Sequence, residues 1–79
     1  MTFTVYAKEG CPACEKIEQL LVMCELRHVV YKLGRDFQTS EFKSEFGSTA
    51  TFPRVVVDDK RLLGGANETV KYLKEMDLV

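Results

Sequence analysis

At residues 6–14 the chain reads Tyr-Ala-Lys-Glu-Gly-Cys-Pro-Ala-Cys. The residues before this stretch alternate apolar and polar side chains, which predicts a strand from Thr2 to Ala7. Residues 8–10 predict a turn. Pro12 suits the first position of a helix, because its missing N–H would be unpaired there in any case. The stretch therefore places two cysteines, Cys11 and Cys14, where a first strand gives way to a first helix.

Apolar residues at helical spacing extend this first helix over residues 12–25. They are Cys14, Ile17, Leu20, Leu21 and Cys24. Free cysteine is often buried as a small apolar residue, so we expect Cys24 to lie in the core. Residues 28–33 predict a second strand.

The second half of the chain predicts a helix, a hairpin and a last helix. Thr39 or Ser40 can cap the short helix, which stops at Gly47. Residues 55–57 and 61–63 predict two strands, and residues 58–60 predict the turn between them. Asn67 can cap the last helix. The residues expected on the inner faces of the two helices are Phe42, Phe46, Val70, Leu73 and Met76.

The resulting order, β-α-β-α-β-β-α, predicts an α/β fold. A strand–helix–strand beginning implies parallel pairing of the first two strands, and the hairpin adds antiparallel pairing at an edge. The 79 residues suffice for one domain, 1–79.

The composition argues against several classes of partner. The formal net charge is −1 and the basic residues form no stripe, so we expect no nucleic-acid binding. No apolar run approaches the roughly 18 residues of a membrane-spanning helix. The first residues lack the features of a secretory signal, and three cysteines, an odd number, suit a reducing compartment. We therefore expect a cytoplasmic protein with no membrane partner.

The cysteine pair predicts thiol–disulfide chemistry. Unpaired N–H groups and the helix dipole at a helix N-terminus favour a thiolate at Cys11, and the thiolate is the species that attacks disulfides. Lys8 can add positive charge. Cys14, one turn further on, lies within bridging reach and suits a resolving thiol.

Two other interpretations of the cysteines stay open at this point. The pair can be small core residues, or Cys11, Cys14, Cys24 and His28 can be zinc ligands. A continuous helix argues against zinc, because it would separate Cys24 from Cys14 by about 15 Å. We therefore expect no metal.

The chain also resembles the glutaredoxin family over nearly all of its length. Residues 6–14 resemble that family's active-site stretch, which commonly ends in Cys-Pro-Tyr-Cys. Thr51-Phe52-Pro53 resembles its Thr-Val-Pro loop, and Gly64-Gly65-Ala66-Asn67 resembles its Gly-Gly-x-Asp element. The resemblance implies a thioredoxin fold with a four-stranded mixed sheet and three helices. It also implies a monomer that uses glutathione as a co-substrate.

The resemblance further implies a set of site residues. The catalytic residues are Cys11 and Cys14. The glutathione-binding residues are Lys8, Pro12, Ala13, Thr51, Phe52, Pro53, Gly65, Ala66, Asn67 and Glu68. Pro53 is expected to be cis, although an ordinary trans turn is the alternative. Lys8 is expected to face the glycyl carboxylate of glutathione, although it can also be an ordinary solvated lysine.

Three positions depart from the family pattern. Ala13 replaces the common tyrosine, which opens space beside Cys11. Asn67 replaces an aspartate, so that Glu68 is left to supply charge for the glutathione amino group. Residues 48–50 include no arginine for a carboxylate contact.

The predicted function is that of a glutathione-linked thiol–disulfide oxidoreductase acting on protein disulfides and glutathione mixed disulfides. Ribonucleotide reductase is one candidate protein substrate. Two alternatives stay open: a redoxin reduced by thioredoxin reductase that serves ribonucleotide reductase, and a carrier of a glutathione-ligated iron–sulfur cluster. The stiffening Pro12 argues against the cluster, whereas Ala13 leaves room for it.

Overall fold

The computed structural model describes all 79 residues, Met1–Val79, and confirms the predicted order of elements. These are β1 (Phe3–Ala7), α1 (Pro12–Met23), β2 (His28–Lys32), α2 (Thr39–Phe46), β3 (Arg54–Val57), β4 (Arg61–Gly64) and α3 (Ala66–Glu75). The strands form one mixed sheet in the order β2-β1-β3-β4. β1 pairs in parallel with β2, and β3 pairs antiparallel with β1 and β4, as the pattern predicted.

The main core lies on one face of the sheet, beneath α1 and α3. Alternation along β1 turns Phe3, Val5 and Ala7 toward this face, and all three are fully buried. The helices contribute Ile17, Leu21 and Leu73. This packing holds α1 and α3 against the sheet.

A smaller aromatic cluster packs on the other face, beneath α2. It consists of Tyr6, Phe37, Phe42, Phe46 and Phe52. Phe42 is buried and Phe46 is half-buried, in agreement with their predicted inward positions. The tightest pair in the cluster is Phe42 and Phe52, whose ring centroids are 4.3 Å apart at an interplanar angle of 14°.

Both later helices begin with a different cap from the one predicted. α2 is capped by Gln38 rather than by Thr39 or Ser40, and α3 is capped by Gly65 rather than by Asn67. In each case a glutamate three residues after the cap, Glu41 or Glu68, accepts a hydrogen bond from the backbone N–H of the cap residue. The hydrogen bond to the glutamate side chain outweighs the general preference for a Ser, Thr or Asn residue at the cap position.

Two residues assigned to inner helix faces lie elsewhere. α1 ends at Met23, so that Cys24 becomes its C-cap and is half-buried rather than part of the core. Met76 is the C-cap of α3 and is 48% exposed. None of the three helices has the length and apolar composition of a membrane-spanning segment.

Candidate active site

Cys11 and Cys14 form a disulfide in this structure, with their Cα atoms 5.3 Å apart. Cys11 is the N-cap of α1, and Pro12 occupies the first turn as predicted. Cys11 keeps 7% of its surface exposed, whereas Cys14 is completely buried. Cys11 is therefore the more accessible of the two residues to an incoming thiol or disulfide.

The backbone at the start of α1 is oriented to stabilise negative charge on Cys11. The N–H of Cys14 donates a hydrogen bond to the Cys11 sulfur, with an N···S distance of 3.2 Å. The positive end of the helix dipole lies at the same point. Both effects favour the thiolate over the thiol once the disulfide is reduced.

Lys8, the predicted source of further positive charge, is exposed on the turn before Cys11. Its ammonium group lies over the ring of Phe52, 5.5 Å from the centroid. The distance is that of a cation–π contact. Lys8 therefore lies beside the segment before Pro53.

The Phe52–Pro53 peptide bond is cis, as the resemblance implied. Pro53 is buried, Phe52 is half-buried and Thr51 is exposed. The stack of Phe52 on Phe42 attaches this loop to the aromatic cluster. The loop is therefore held by the aromatic cluster beneath α2, while Thr51 stays exposed to solvent.

The glycine element packs directly against the proline loop. A Cβ atom at Gly65 would lie 3.6 Å from the backbone oxygen of Pro53, so these two segments of the backbone are in van der Waals contact. Gly64 has a φ of +117°, and a Cβ there would lie 3.0 Å from the Glu68 side chain. A larger residue at Gly64 would be strained in its backbone and crowded by Glu68.

Glu68 has a structural role that the sequence did not reveal. Its Oε1 atom accepts the hydrogen bond from Gly65 N–H at 2.7 Å, so part of the carboxylate is used within the chain. Ala66 is half-buried and Asn67 is exposed in the first turn of α3. This helix N-terminus presents N–H groups and the positive end of a dipole, which suit a carboxylate ligand.

A groove between α1 and α3 includes Ala66 and Asn67 and was not predicted from the sequence. Its volume is about 390 Å³. The lining residues are Lys16, Ile17, Leu20, Ala66, Asn67 and Val70. Helical spacing places the α1 residues on one stripe, but only the packed structure brings α3 opposite them.

The four residues considered as zinc ligands are not brought together. α1 is continuous over Pro12–Met23, which puts Cys14 and Cys24 near opposite ends of the helix. Nδ1 of His28 forms a hydrogen bond with the carbonyl oxygen of Leu26 at 2.8 Å. No group of three or more His, Cys, Asp or Glu side chains lies close enough to hold a metal ion.

Comparison with known proteins finds similarity to one family. The model of the glutaredoxin family matches residues 3–62. No curated protein matches the chain by sequence. Solved structures share its fold at low identity, and the three that follow each align over nearly the whole of both chains.

The first of these structures, reduced glutaredoxin from Escherichia coli, is 20% identical with a TM-score of 0.80, covering 98% of this chain and 99% of that one. The oxidised form from the same organism is 22% identical with a TM-score of 0.70, covering 95% of each chain. Glutaredoxin 1 from Francisella tularensis, in complex with cacodylate, is 21% identical with a TM-score of 0.72, covering 98% and 95%. The four-stranded mixed sheet with three helices is thus the thioredoxin fold.

Proposed function

The chain belongs to the glutaredoxin family of thiol–disulfide oxidoreductases, and we propose that glutathione is its reductant, with Cys11 as nucleophile and Cys14 as resolving thiol. The observation that carries this proposal is the different exposure of the two cysteines. Cys11, at a helix N-terminus, keeps 7% of its surface exposed, whereas Cys14 is completely buried and disulfide-bonded to it. Phe52, before the cis-proline, and Ala66, at the start of α3, pack against the core cluster that contains both cysteines.

The proposed reaction begins when the Cys11 thiolate attacks a substrate disulfide. A new S–S bond joins Cys11 to one substrate sulfur, and the other sulfur leaves as a thiolate that takes up a proton. The Cys14 thiol then loses its proton and attacks the Cys11 sulfur. This step releases the second substrate thiol and forms the Cys11–Cys14 disulfide. Two molecules of glutathione restore the dithiol and become glutathione disulfide.

The two ends of glutathione would meet different parts of the site. Lys8 would pair with the glycyl carboxylate after leaving the ring of Phe52. The backbone of Thr51 and Phe52 would pair with the cysteinyl part, and Pro12, Ala13 and Pro53 would line the path of its sulfur. The γ-glutamyl carboxylate would bind at the helix N-terminus formed by Gly65, Ala66 and Asn67. The free oxygen of Glu68 would accept a hydrogen bond from the amino group.

The protein substrates in this proposal are disulfide-bearing proteins, ribonucleotide reductase among them. Each would bind with its disulfide positioned for attack by Cys11. The reductant can be tested separately from the substrate, because glutathione regenerates the enzyme after the substrate has left.

The experiment compares Cys11→Ser, Cys14→Ser and Cys24→Ser on a small glutathione mixed disulfide. Glutathione, glutathione reductase and NADPH are present, and NADPH oxidation is followed. We expect Cys11→Ser to abolish turnover and Cys24→Ser to leave it unchanged. Cys14→Ser should retain turnover, because free glutathione can replace the resolving thiol. Equal and complete loss in Cys11→Ser and Cys14→Ser would contradict these roles.

A parallel assay replaces glutathione and its reductase with thioredoxin reductase. We expect no NADPH oxidation with the wild-type protein. Turnover in this assay alone would reject glutathione as the reductant. It would leave the assignment of Cys11 as nucleophile in place.

A further inference from the structure

A second cavity lies beneath α2, on the face of the sheet opposite to α1 and α3. Its volume is about 320 Å³, which is near the lower limit for a ligand pocket. No basic residue lines it. Its lining includes three aromatic residues, Tyr6, Tyr31 and Phe37, and three acidic residues, Asp36, Glu41 and Glu45. The cavity therefore offers aromatic rings and negative charge to a small organic group.

The aromatic rings of the cavity stand at different angles around one space. The ring centroid of Tyr6 lies 5.6 Å from that of Tyr31 and 5.5 Å from that of Phe37. The interplanar angles of these pairs are 41° and 77°. A cation is attracted to the face of an aromatic ring within about 6 Å of its centroid. Because the centroids are this close together, one cation in the cavity can interact with more than one ring.

No cation of the protein itself occupies this position. The two cation–π contacts of the structure are made at the rings of Phe52 and Tyr72, which do not line the cavity. Arg54, the basic neighbour of Tyr6 in the sheet, lies on the side of β1 away from β2. Lys32 follows Tyr31 in β2, and strand alternation turns it to the opposite face, where it pairs with α1. The place for a cation is therefore open to a ligand.

Two of the three acidic side chains have charge left for such a ligand. The carboxylate of Asp36 is paired with Arg35, with an N···O distance of 2.7 Å. Glu41 uses one oxygen, which accepts a hydrogen bond from the N–H of Gln38, and Glu45 takes part in no ion pair. Glu41 and Glu45 stand four residues apart on α2, where like charges repel each other. A cation bound between them would relieve this repulsion.

We propose that this cavity binds an organic cation that carries a guanidinium group on a short apolar stem. The planar group would stack on a tyrosine ring and accept no proton, while it donates hydrogen bonds to the carboxylates of Glu41 and Glu45. Guanidinium suits the site better than ammonium, because it is more weakly hydrated and its fork of N–H groups matches a carboxylate. The cation can be a free small molecule or the arginine side chain of a polypeptide. Binding involves neither cysteine, so the proposal is independent of the proposed function.

The test titrates the oxidised wild-type protein with n-butylguanidinium chloride in the absence of glutathione. Its neutral isostere, n-butylurea, is the matched control. Two-dimensional proton–carbon NMR spectra follow the aromatic rings in sodium phosphate buffer, because a Tris buffer would itself contain an organic cation. The signals of Tyr6, Tyr31 and Phe37 should shift, and those of Tyr72 on α3 should not.

We expect a Kd of about 1 mM for n-butylguanidinium, as is usual for a ligand of this size. Binding of n-butylurea should be about tenfold weaker, because it lacks the cation–π and ion-pair contributions. Added salt should reduce this difference. Equal affinities for the two compounds, or equal shifts at Tyr72, would overturn the proposal.

Two side chains of the cavity can be changed with matched controls. Tyr31→Leu removes an exposed ring and should weaken n-butylguanidinium binding about fivefold, whereas Tyr31→Phe keeps the ring and should bind nearly as the wild type does. Glu45→Gln should weaken binding about threefold, as suits a solvent-exposed ion pair. Glu75→Gln makes the same change on α3, across the sheet, and should have no effect. Equal affinities within either pair of variants would overturn the proposed contacts, and unchanged signals of Tyr72 show that each variant is folded.

A second pair of probes distinguishes a free cation from an arginine side chain. These are short capped peptides in which arginine, or its neutral isostere citrulline, stands between glycines. Affinity of the arginine peptide within about fivefold of that of n-butylguanidinium supports a polypeptide as the source, and a larger loss supports a small molecule. If neither n-butylguanidinium nor the arginine peptide shifts the ring signals, the proposal is overturned.

Discussion

Replacing Phe42 with leucine tests whether the aromatic cluster supports the active-site loop through ring stacking or only through burial. Phe42 is 3% exposed and has four aromatic neighbours. Its stacked contact with Phe52 connects α2 to the loop before Pro53. Leucine would keep most of the apolar burial and remove all four ring pairs.

The expected loss follows from these contacts. A hydrophobic exchange of similar volume usually costs less than about 1.5 kcal/mol. Aromatic pairs at such distances contribute about 0.5–1.5 kcal/mol each beyond burial, although neighbouring pairs do not add fully. We therefore expect Phe42→Leu to lower the free energy of unfolding by about 2 kcal/mol. For a domain of this size, that corresponds to a decrease in Tm of roughly 8–16 °C.

Phe3→Leu is the matched control. Phe3 is completely buried in the main core and has one aromatic neighbour, Tyr72, with ring centroids 6.3 Å apart. If burial alone determined the cost, Phe3→Leu would be at least as destabilising as Phe42→Leu. If ring pairing contributes, Phe42→Leu is the more destabilising change.

Urea denaturation of the oxidised proteins, followed by far-ultraviolet circular dichroism, measures both free energies. The activity assay adds a second readout, because a loosened Phe52 should raise KM for glutathione in Phe42→Leu and not in Phe3→Leu. A loss for Phe3→Leu equal to or larger than that for Phe42→Leu would refute the reasoning about ring pairing. An unchanged KM in Phe42→Leu would refute the link from the cluster to the loop.

Two further predictions concern Tyr6 and Cys24. Burial raises the pKa of Tyr6 above its ordinary value, with Glu45 and Tyr31 adding to the effect. Because the folded pKa exceeds the unfolded one, stability should fall as pH rises beyond about 10. Tyr6→Phe should reduce this fall between pH values of about 9 and 11, measured by urea denaturation, more than Tyr31→Phe does. Cys24 is the free thiol of the oxidised protein and is half-buried, so iodoacetamide should label it slowly in the native state. Labelling only after denaturation would contradict the partial exposure of its side chain.

The elements of the fold could be predicted because each carries a local signal. Alternation marked β1, Pro12 marked the start of α1, and the turn at residues 58–60 marked the hairpin, which the structure confirms. These signals depend on side-chain periodicity and backbone preference over a few residues. Neighbouring residues in the sequence are enough to define them.

The caps and ends of helices were predicted less well, because competing local contacts decide them. Gly65 has no side chain to cap a helix, yet it precedes α3 because Glu68 reaches back to its N–H. The same contact explains why Asn67 lies inside the first turn, where its side chain is free to face the groove. Cys24 lies outside the core because α1 stops at Met23.

The cysteine pair could be found from sequence, but the surroundings that distinguish its two members could not. The small exposed fraction of Cys11 and the complete burial of Cys14 follow from how α1 packs against β1 and α3, which involves residues far apart in the chain. The approach of Gly65 to the Pro53 oxygen is likewise a contact between the loop before β3 and the N-cap of α3. The resemblance anticipated that these segments would meet, whereas periodicity alone could not.

Ala13 changes the proposed glutathione site through the size of its side chain. An aromatic residue at this position would provide an apolar wall for glutathione. Alanine removes that surface, so in the proposed scheme the affinity for glutathione depends more on Lys8 and on the N-terminus of α3.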